Sequence, residues 1–294
     1  MNNPDRIWVM SDYVQAEIMV AAWFGPIPLM KEWFKTNQDI HLNVAKLIGQ
    51  QVEKHKIKLP NKAWNRKPWQ ELDANEPLDH DIERDLAKRT VHANTNGMWR
   101  TRFARITGLP VFIAGQVQDI YHGLFPEIRG SYHVGIQQQV AINGTLTNPL
   151  GWSRTFYNVN PLSGQYEEDE FRVMYAWIPQ STIGMLTIRA YLLHCEQFAA
   201  ELPEATIKLW TPQNILARGY DVQLQVHDML AVSTPNDSTL IRNTAQAMRE
   251  ASRYTMMIND DSLVIPVDFK VGPSWGDMKK YVLEDNDEYY GRSK

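Results

Sequence analysis

The sequence predicts an α+β protein, with strands at the start and toward the end of the chain and helices between them. Val222, Leu224 and Val226 alternate with Gln223, Gln225 and His227, the pattern of a strand with one wet face. Leu263, Ile265, Val267, Phe269 and Val271 alternate strictly, which predicts another strand. Between these ends the apolar residues recur at helical spacing, as in Ile40, Val44, Leu47 and Ile48. Periodicity alone supports α+β and no finer topology.

In chain order, residues 7–10 alternate modestly and predict a short strand that delivers Asp12. Leu29, Met30, Trp33 and Phe34 fall at helix spacing. Asp39 is placed to cap a helix through Ile48, with Gly49 past its end. Residues 50–78 carry three prolines and no clear period, so they read mostly as loop or linker. A helix from about Asp79 to Asn94 has acids in its first turn, where the helix dipole favours them. Residues 117–146 look helical, with Pro126 near a start or bend. Residues 147–170 are turn-rich, holding Gly151, Pro161 and Gly164, and a longer helix runs from about Gln180 to Leu202. Leu230 and Val232 suggest a return strand, so His227-Asp228 falls at a hairpin turn. Residues 238–254 read as helix, and Pro266 favours an edge position for the strand that contains it.

A chain of 294 residues can bury a substantial core as one large domain or two lobes. No apolar run approaches a membrane span, and no basic-then-apolar leader opens the chain. The single cysteine, Cys195, excludes an internal disulfide framework and a cysteine-built zinc site. Together these point to a cytoplasmic setting. A net charge of −4 argues against a non-specific nucleic-acid binder, but the cations are clustered. Lys54, Lys56, Lys58, Lys62, Arg66 and Lys67 form one group, and Arg84, Lys88, Arg89, Arg100, Arg102 and Arg105 another. Acid concentrates in Glu167–Glu170 and Glu284–Glu288.

Two aspartates follow strand-like runs: Asp12 in Ser11-Asp12-Tyr13-Val14-Gln15-Ala16-Glu17, and Asp228 in Gln225-Val226-His227-Asp228. A lone aspartate after a strand more often caps a turn. Between these two, however, Arg84, Lys88, His92 and Asn96 recur every four residues and form one stripe along a helix. Two carboxylates at strand ends can hold a pair of divalent cations, and a helix bearing Arg and Lys can hold a polyphosphate. That is the minimum equipment for metal-assisted nucleotidyl transfer.

These three segments resemble, in order, motifs A, B and C of the family A DNA polymerases, the group of bacterial DNA polymerase I and several phage replicases. Lesser matches are Asp39-Ile40-His41, Phe125-Pro126, Arg172 eight residues before Gln180, and Gly272-Pro273-Ser274-Trp275, so the resemblance runs from about Ile7 to Trp275. It implies an antiparallel palm sheet with a mostly helical fingers insertion: palm over 1–24, fingers over 25–150 and palm again over 151–294. It implies DNA-directed DNA polymerase activity on deoxynucleoside triphosphates and primer–template DNA, with two Mg²⁺ ions, for which Mn²⁺ can substitute. By resemblance, Asp12 and Asp228 are the catalytic metal ligands, with the Tyr13 carbonyl as a third. Gln15, Glu17, His41, Arg84, Lys88 and His92 fall to the nucleotide, with Arg84 and Lys88 on the triphosphate and Glu17 as a steric gate against a ribose 2′-hydroxyl. Asn96, Arg172, Gln180 and His227 fall to the DNA. Without the resemblance, Arg84 and Lys88 read as partners of Asp81 and Asp85 on a salt-bridged helix, and Glu17 as a dipole-complementing acid.

The sequence also departs from the family pattern. Motif C ends in Met229 instead of a glutamate, the motif B aromatic is His92, its tyrosine is Asn96, and Met19 stands where an arginine often follows the gate. The family carries a thumb and upstream palm strands before motif A, and here Asp12 is near Met1. The expectation is a phage-type, C-terminal subunit of a split polymerase, in host cytoplasm if phage-encoded, with a second polypeptide supplying the thumb. The alternative is a catalytically impaired DNA-binding subunit derived from such an enzyme.

Overall fold

The computed structural model describes residues 5–58, 82–157, 168–200 and 221–283. The fold is α+β, as the alternating and helical patterns predict. The chain forms two compact units, one of Met1–Glu17 with Gln180–Lys294 and the other of Ile18–Pro179.

The first unit is built on an antiparallel five-stranded sheet. Its strands are β1 (Arg6–Tyr13), β4 (Asp221–Val226), β5 (Met229–Pro235), β8 (Val267–Gly272) and β9 (Lys279–Tyr281), in the spatial order β4-β5-β1-β8-β9. β1 is central and longer than the four residues its alternation predicts, so Asp12 lies inside the strand. In the register, Val9 pairs with Val232 and Val271, and Ser11 with Leu230 and Phe269. These odd-numbered positions of β1 face helix α9 (Ser238–Ser252), and Val9, Leu230, Val232, Ala245, Met248 and Phe269 form the core between them. Asp237 caps α9, accepting from Thr239 N at 2.9 Å and Leu240 N at 3.0 Å. The Tyr13 hydroxyl donates to the Ser252 carbonyl at 2.9 Å, pinning the other end of the helix to β1. Because β-strand side chains alternate faces, Asp12 projects from the opposite face to this core.

β8 is an interior strand, not an edge. Pro266 precedes its first residue, so its missing N–H costs no ladder bond, while its carbonyl accepts from Val14 N at 2.9 Å. The run from Leu263 to Val271 is also not one strand. β6 (Met256–Ile258) and β7 (Asp261–Leu263) make a separate hairpin, turned by Asn259 and Asp260 at φ 51° and 60°. Two successive positive φ values suit a two-residue hairpin loop, and Asn and Asp tolerate them.

The second unit is mostly helical: α2 (Pro28–Lys35), α3 (Ile40–Lys54), α4 (Ile82–Thr95), α5 (Arg100–Thr107), α6 (Val111–Leu124), a π-helical turn Ile128–His133 and α7 (Val134–Asn143). Helices α1 (Ala16–Phe24) and α8 (Glu168–Ala200) each contribute to both units, and the boundary in α8 falls at Pro179, which lacks the N–H of a regular turn. Asp39 caps α3, accepting from Leu42 N at 3.0 Å. Gly49 does not end that helix. It is buried mid-helix, where packing outweighs a propensity penalty of about 1 kcal/mol. Ile40, Ile48, Phe103, Tyr121, Phe125 and Tyr132 are fully buried and form the unit's core. The Gln118 side chain donates to Asn94 Oδ1 at 2.9 Å and to the Met98 carbonyl at 2.8 Å, tying α6 to the end of α4.

A small hairpin of β2 (Thr145–Thr147) and β3 (Ser153–Thr155) occupies part of the turn-rich stretch. Asn148 organises its turn, its Oδ1 accepting from Leu150 N and Trp152 N at 3.0 and 2.9 Å. Lys62, Arg66, Lys67, Pro161, Gly164 and the acidic run Glu284–Glu288 lie outside the described residues.

Candidate active site

In the sheet unit the strand register brings the two motif aspartates to neighbouring positions. Asp12 pairs across β1 and β5 with Met229, the residue after Asp228, and Tyr13 N–H donates to the Asp228 carbonyl at 3.1 Å. Asp228 closes the two-residue turn between β4 and β5, with His227 at φ 51°, a left-handed conformation unusual outside glycine. Gln15, between β1 and α1, sits at φ 49°. Such backbone strain cluster at functional sites, where the surrounding structure holds it in place. Here it flanks both aspartates. Asp12, Gln15, Glu17 and Asp228 are half-buried, while Gln180 and His227 are exposed. Glu17 lies in the first turn of α1. Asp268 also pairs with Asp12, from β8, so directly opposite residues on three strands share the Asp12 face. Sequence reading passed over Asp268, since only the register brings it there.

In the helical unit, α4 buries Leu86, Ala87, Thr90, Val91 and Asn94 and turns the predicted stripe outward. Lys88 is exposed, and Arg84, His92 and Asn96 are half-buried. Lys88, His92, Asn96 and Arg172 line one cavity of ≈ 300 Å³ between α4, α5 and α8, so Arg172 joins the stripe. The Arg172 guanidinium donates to Asp169 at 2.8 Å, and Arg102 reaches the same carboxylate at 2.6 Å. Arg102 first, and Arg172 with it, hold the Asp169 carboxyl below the usual carboxylate range.

Asp81 of the surface-helix reading lies outside the described residues, and among those described the stripe pairs differently. Arg84 binds Asp39, through Nε at 2.9 Å and Nη2 at 2.7 Å, while Asp85 is taken by Arg89 at 2.7 Å. Asp39 therefore caps α3 and orients Arg84 together. Its carboxyl is held low by the Leu42 N–H and Arg84, which outweigh its partial burial. His41 is 2% exposed and its ring lies 5.6 Å from that of His92. Burial first, then the nearby His92, Arg84 and Lys88, push its pKa down to about 3. Gly97 ends the motif at φ 68°, and a Cβ there would meet the Tyr175 ring at 2.5 Å, so both conformation and space call for glycine.

His122 and His133, in the same unit, are likewise pushed down to about 3 and about 4 by burial. An unfolded histidine titrates near 6.5, so between that value and about 4 the unfolded chain binds more protons than the folded one. Stability contributed by these three rings is full above pH 6.5 and falls as the pH drops. Urea midpoints are expected to decline between pH 7 and 4.5; a flat profile would mean the rings are reachable by water and protons.

No protein-family profile matches this sequence, and no curated protein matches it. Its fold is shared with solved structures. One is the POL domain of Pol1 from M. smegmatis in complex with DNA primer-template and dNTP, at a TM-score of 0.66 and 18% sequence identity. The match covers 92% of this chain and 40% of that chain, so the protein spans less than half the length of that structure. The two proteins therefore share a fold.

Proposed function

We propose that this protein is a DNA-directed DNA polymerase, transferring nucleotides to a primer end under template direction. The observation that carries the reading is the register that sets Asp12 beside Asp228 at adjoining strand ends, in a chain with a polymerase-domain fold. Two aspartates with a backbone carbonyl are hard oxygen donors, and Mg²⁺ is commonly held by one or two carboxylates with substrate phosphates and water. The donor set fits, with Asp12, Asp228 and the Tyr13 carbonyl as ligands. Divalent ions bound there supply charge stabilisation to the attacking and leaving oxygens of an in-line displacement.

The remaining roles belong to the chain's own side chains. Lys88 and Arg84 grip the triphosphate, Arg84 being pre-oriented by Asp39. Neutral His41 supports His92 beside the sugar, and Gln15 contributes to the same nucleotide. Asn96, Arg172, Gln180 and His227 are assigned to primer–template DNA. Residues 1–24 and 151–294 are read as palm and residues 25–150 as fingers. A phage-type split enzyme, with a second polypeptide contributing the thumb, remains part of this proposal. So does a cytoplasmic setting; no helix among the described residues is long and apolar enough to cross a membrane. The second reading, an impaired DNA-binding subunit, draws on Met229, which is buried directly opposite Asp12 and offers no carboxylate. Primer extension with Mg²⁺, alone and with the neighbouring gene product, separates the two. Template-directed extension supports the enzyme, and duplex binding without extension supports the subunit.

Glu17 as a steric gate makes its own prediction. Glu17→Ala is expected to raise ribonucleotide relative to deoxyribonucleotide incorporation by about tenfold, ~1.4 kcal/mol of lost discrimination. An unchanged ratio in a competition assay would leave Glu17 a helix-dipole residue only.

A further inference from the structure

Asp169 stands in the first turn of α8, and one of its oxygens, Oδ1, accepts from two guanidiniums. Arg102 reaches it from α5 at 2.6 Å, and Arg172 from three residues further along α8 at 2.8 Å. Two cations from different helices thus converge on a single anion. The Arg102 and Arg172 side chains are 34% and 26% exposed, and the Asp169 side chain is 71% exposed. The carboxylate is therefore outermost, covering a recessed pair of arginines. Arg172 Nε is buried and has no hydrogen-bond partner among the described residues, so Asp169 satisfies that guanidinium only in part.

A first-turn acid that complements the helix dipole needs neither arginine. The contact is also a weak one, because water screens exposed ion pairs and holding them costs side-chain freedom. A guanidinium pairs with phosphate as readily as with carboxylate, and a DNA strand presents its charges at close spacing. Such a strand outcompetes a lone exposed carboxylate for the same two cations.

The surroundings favour a strand over a small ligand. Arg172 lines the ≈ 300 Å³ cavity with Lys88 and His92, whereas Arg102 and Asp169 do not. Arg105, three residues beyond Arg102 on α5, is exposed and makes no ion pair with another described residue. Cations that continue along α5 past the cavity suit an extended polyanion crossing the surface. We infer that Arg102 and Arg172 form a clamp for one backbone phosphate of a DNA strand, which Asp169 occupies until the strand displaces it. Arg102 is then a DNA contact, and Asp169 an internal competitor that sets how tightly DNA is held. This rests on the assignment of Arg172 to DNA and not on catalysis, since binding is read without metal.

The test is fluorescence anisotropy of the full chain with a labelled primer–template duplex in EDTA, with dATP titrated alongside. Asp169→Asn keeps the side chain's size and removes its charge. It is expected to tighten duplex binding about three- to fivefold, the range an exposed ion pair supplies, with dATP affinity and melting temperature unchanged. Glu170→Gln removes the neighbouring exposed charge and is expected to change duplex affinity less than about twofold. Arg102→Ala is expected to weaken duplex binding severalfold and to reduce the log–log salt slope by about one. In the Arg102→Ala background Asp169→Asn should bring no further gain, because the clamp it opens is already broken. An equal gain from Glu170→Gln, or the full Asp169→Asn gain without Arg102, would mean a general field effect and overturn the clamp. A gain for dATP in place of duplex, or no gain in Asp169→Asn while the wild type binds duplex, overturns it as well. Absence of duplex binding from every variant would instead overturn the assignment of the protein to DNA, and the clamp with it.

Discussion

Asp12→Asn and Asp228→Asn are each expected to lower Mg²⁺-dependent primer extension by at least about a hundredfold, while circular dichroism and thermal stability stay near wild type. The size follows from the charge removed. Stabilisation of transition-state oxygens by bound cations amounts to several kcal/mol, and each 1.36 kcal/mol is about tenfold in rate. The fold should tolerate both changes. Asp228 sits in a tight turn, where asparagine is as acceptable as aspartate. Asp12 projects from the sheet face opposite Val9, Ser11 and Tyr13, so the α9 core is untouched. A paired control is Asp237→Asn, which should leave extension intact, since its role is to cap α9. Near-wild-type extension by either site variant would refute the two-carboxylate assignment. Loss of secondary structure would instead make these residues structural.

The sequence exposed local structure better than long-range pairing. The Asp39 cap, the outward stripe on α4 and the His227-Asp228 turn are all written in short-range chemistry, and each is present. The misread boundaries have local causes too. Gly49 reads as a stop because glycine is a poor helix former, but it is buried in the middle of α3. Pro266 favours an edge because it has no N–H to donate, but it lies between β7 and β8 and outside the ladder, where the unbroken alternation from Leu263 to Val271 hides the division into two elements. The Asn259-Asp260 pair and the Asn148-Pro149-Leu150-Gly151 run were the available signals for the two short hairpins. The partnership of Arg84 with Asp39 and the facing of Asp12 by Met229 and Asp268 had no local signal. They depend on which helices and strands meet, and nothing in a 3.6- or 2-residue period encodes that.

That partnership separates two residues which the sequence motif treats as equivalent. Lys88→Ala is expected to raise the apparent Km for deoxynucleoside triphosphates by about ten- to a hundredfold, with unchanged duplex affinity and stability. Lys88 is exposed and makes no ion pair with another described residue, so its ammonium is available to a phosphate. A charge-assisted hydrogen bond of that kind is worth ~1.5–3 kcal/mol. Arg84→Ala should raise the Km as well, but with a second effect. It strips both guanidinium bonds from Asp39, the cap of α3, and leaves a half-buried carboxylate with one backbone partner. A lower melting temperature should therefore accompany the kinetic loss in Arg84→Ala and be absent in Lys88→Ala. Asp39→Asn isolates the orienting part: it keeps a side-chain oxygen for the Leu42 N–H while weakening the hold on Arg84, so the Km rises with the α3 cap intact. If Lys88→Ala weakens only duplex binding, the α4 stripe is a DNA contact and its assignment to the nucleotide fails. If Arg84→Ala and Lys88→Ala prove identical in both stability and Km, the Asp39 pair has no orienting role in solution.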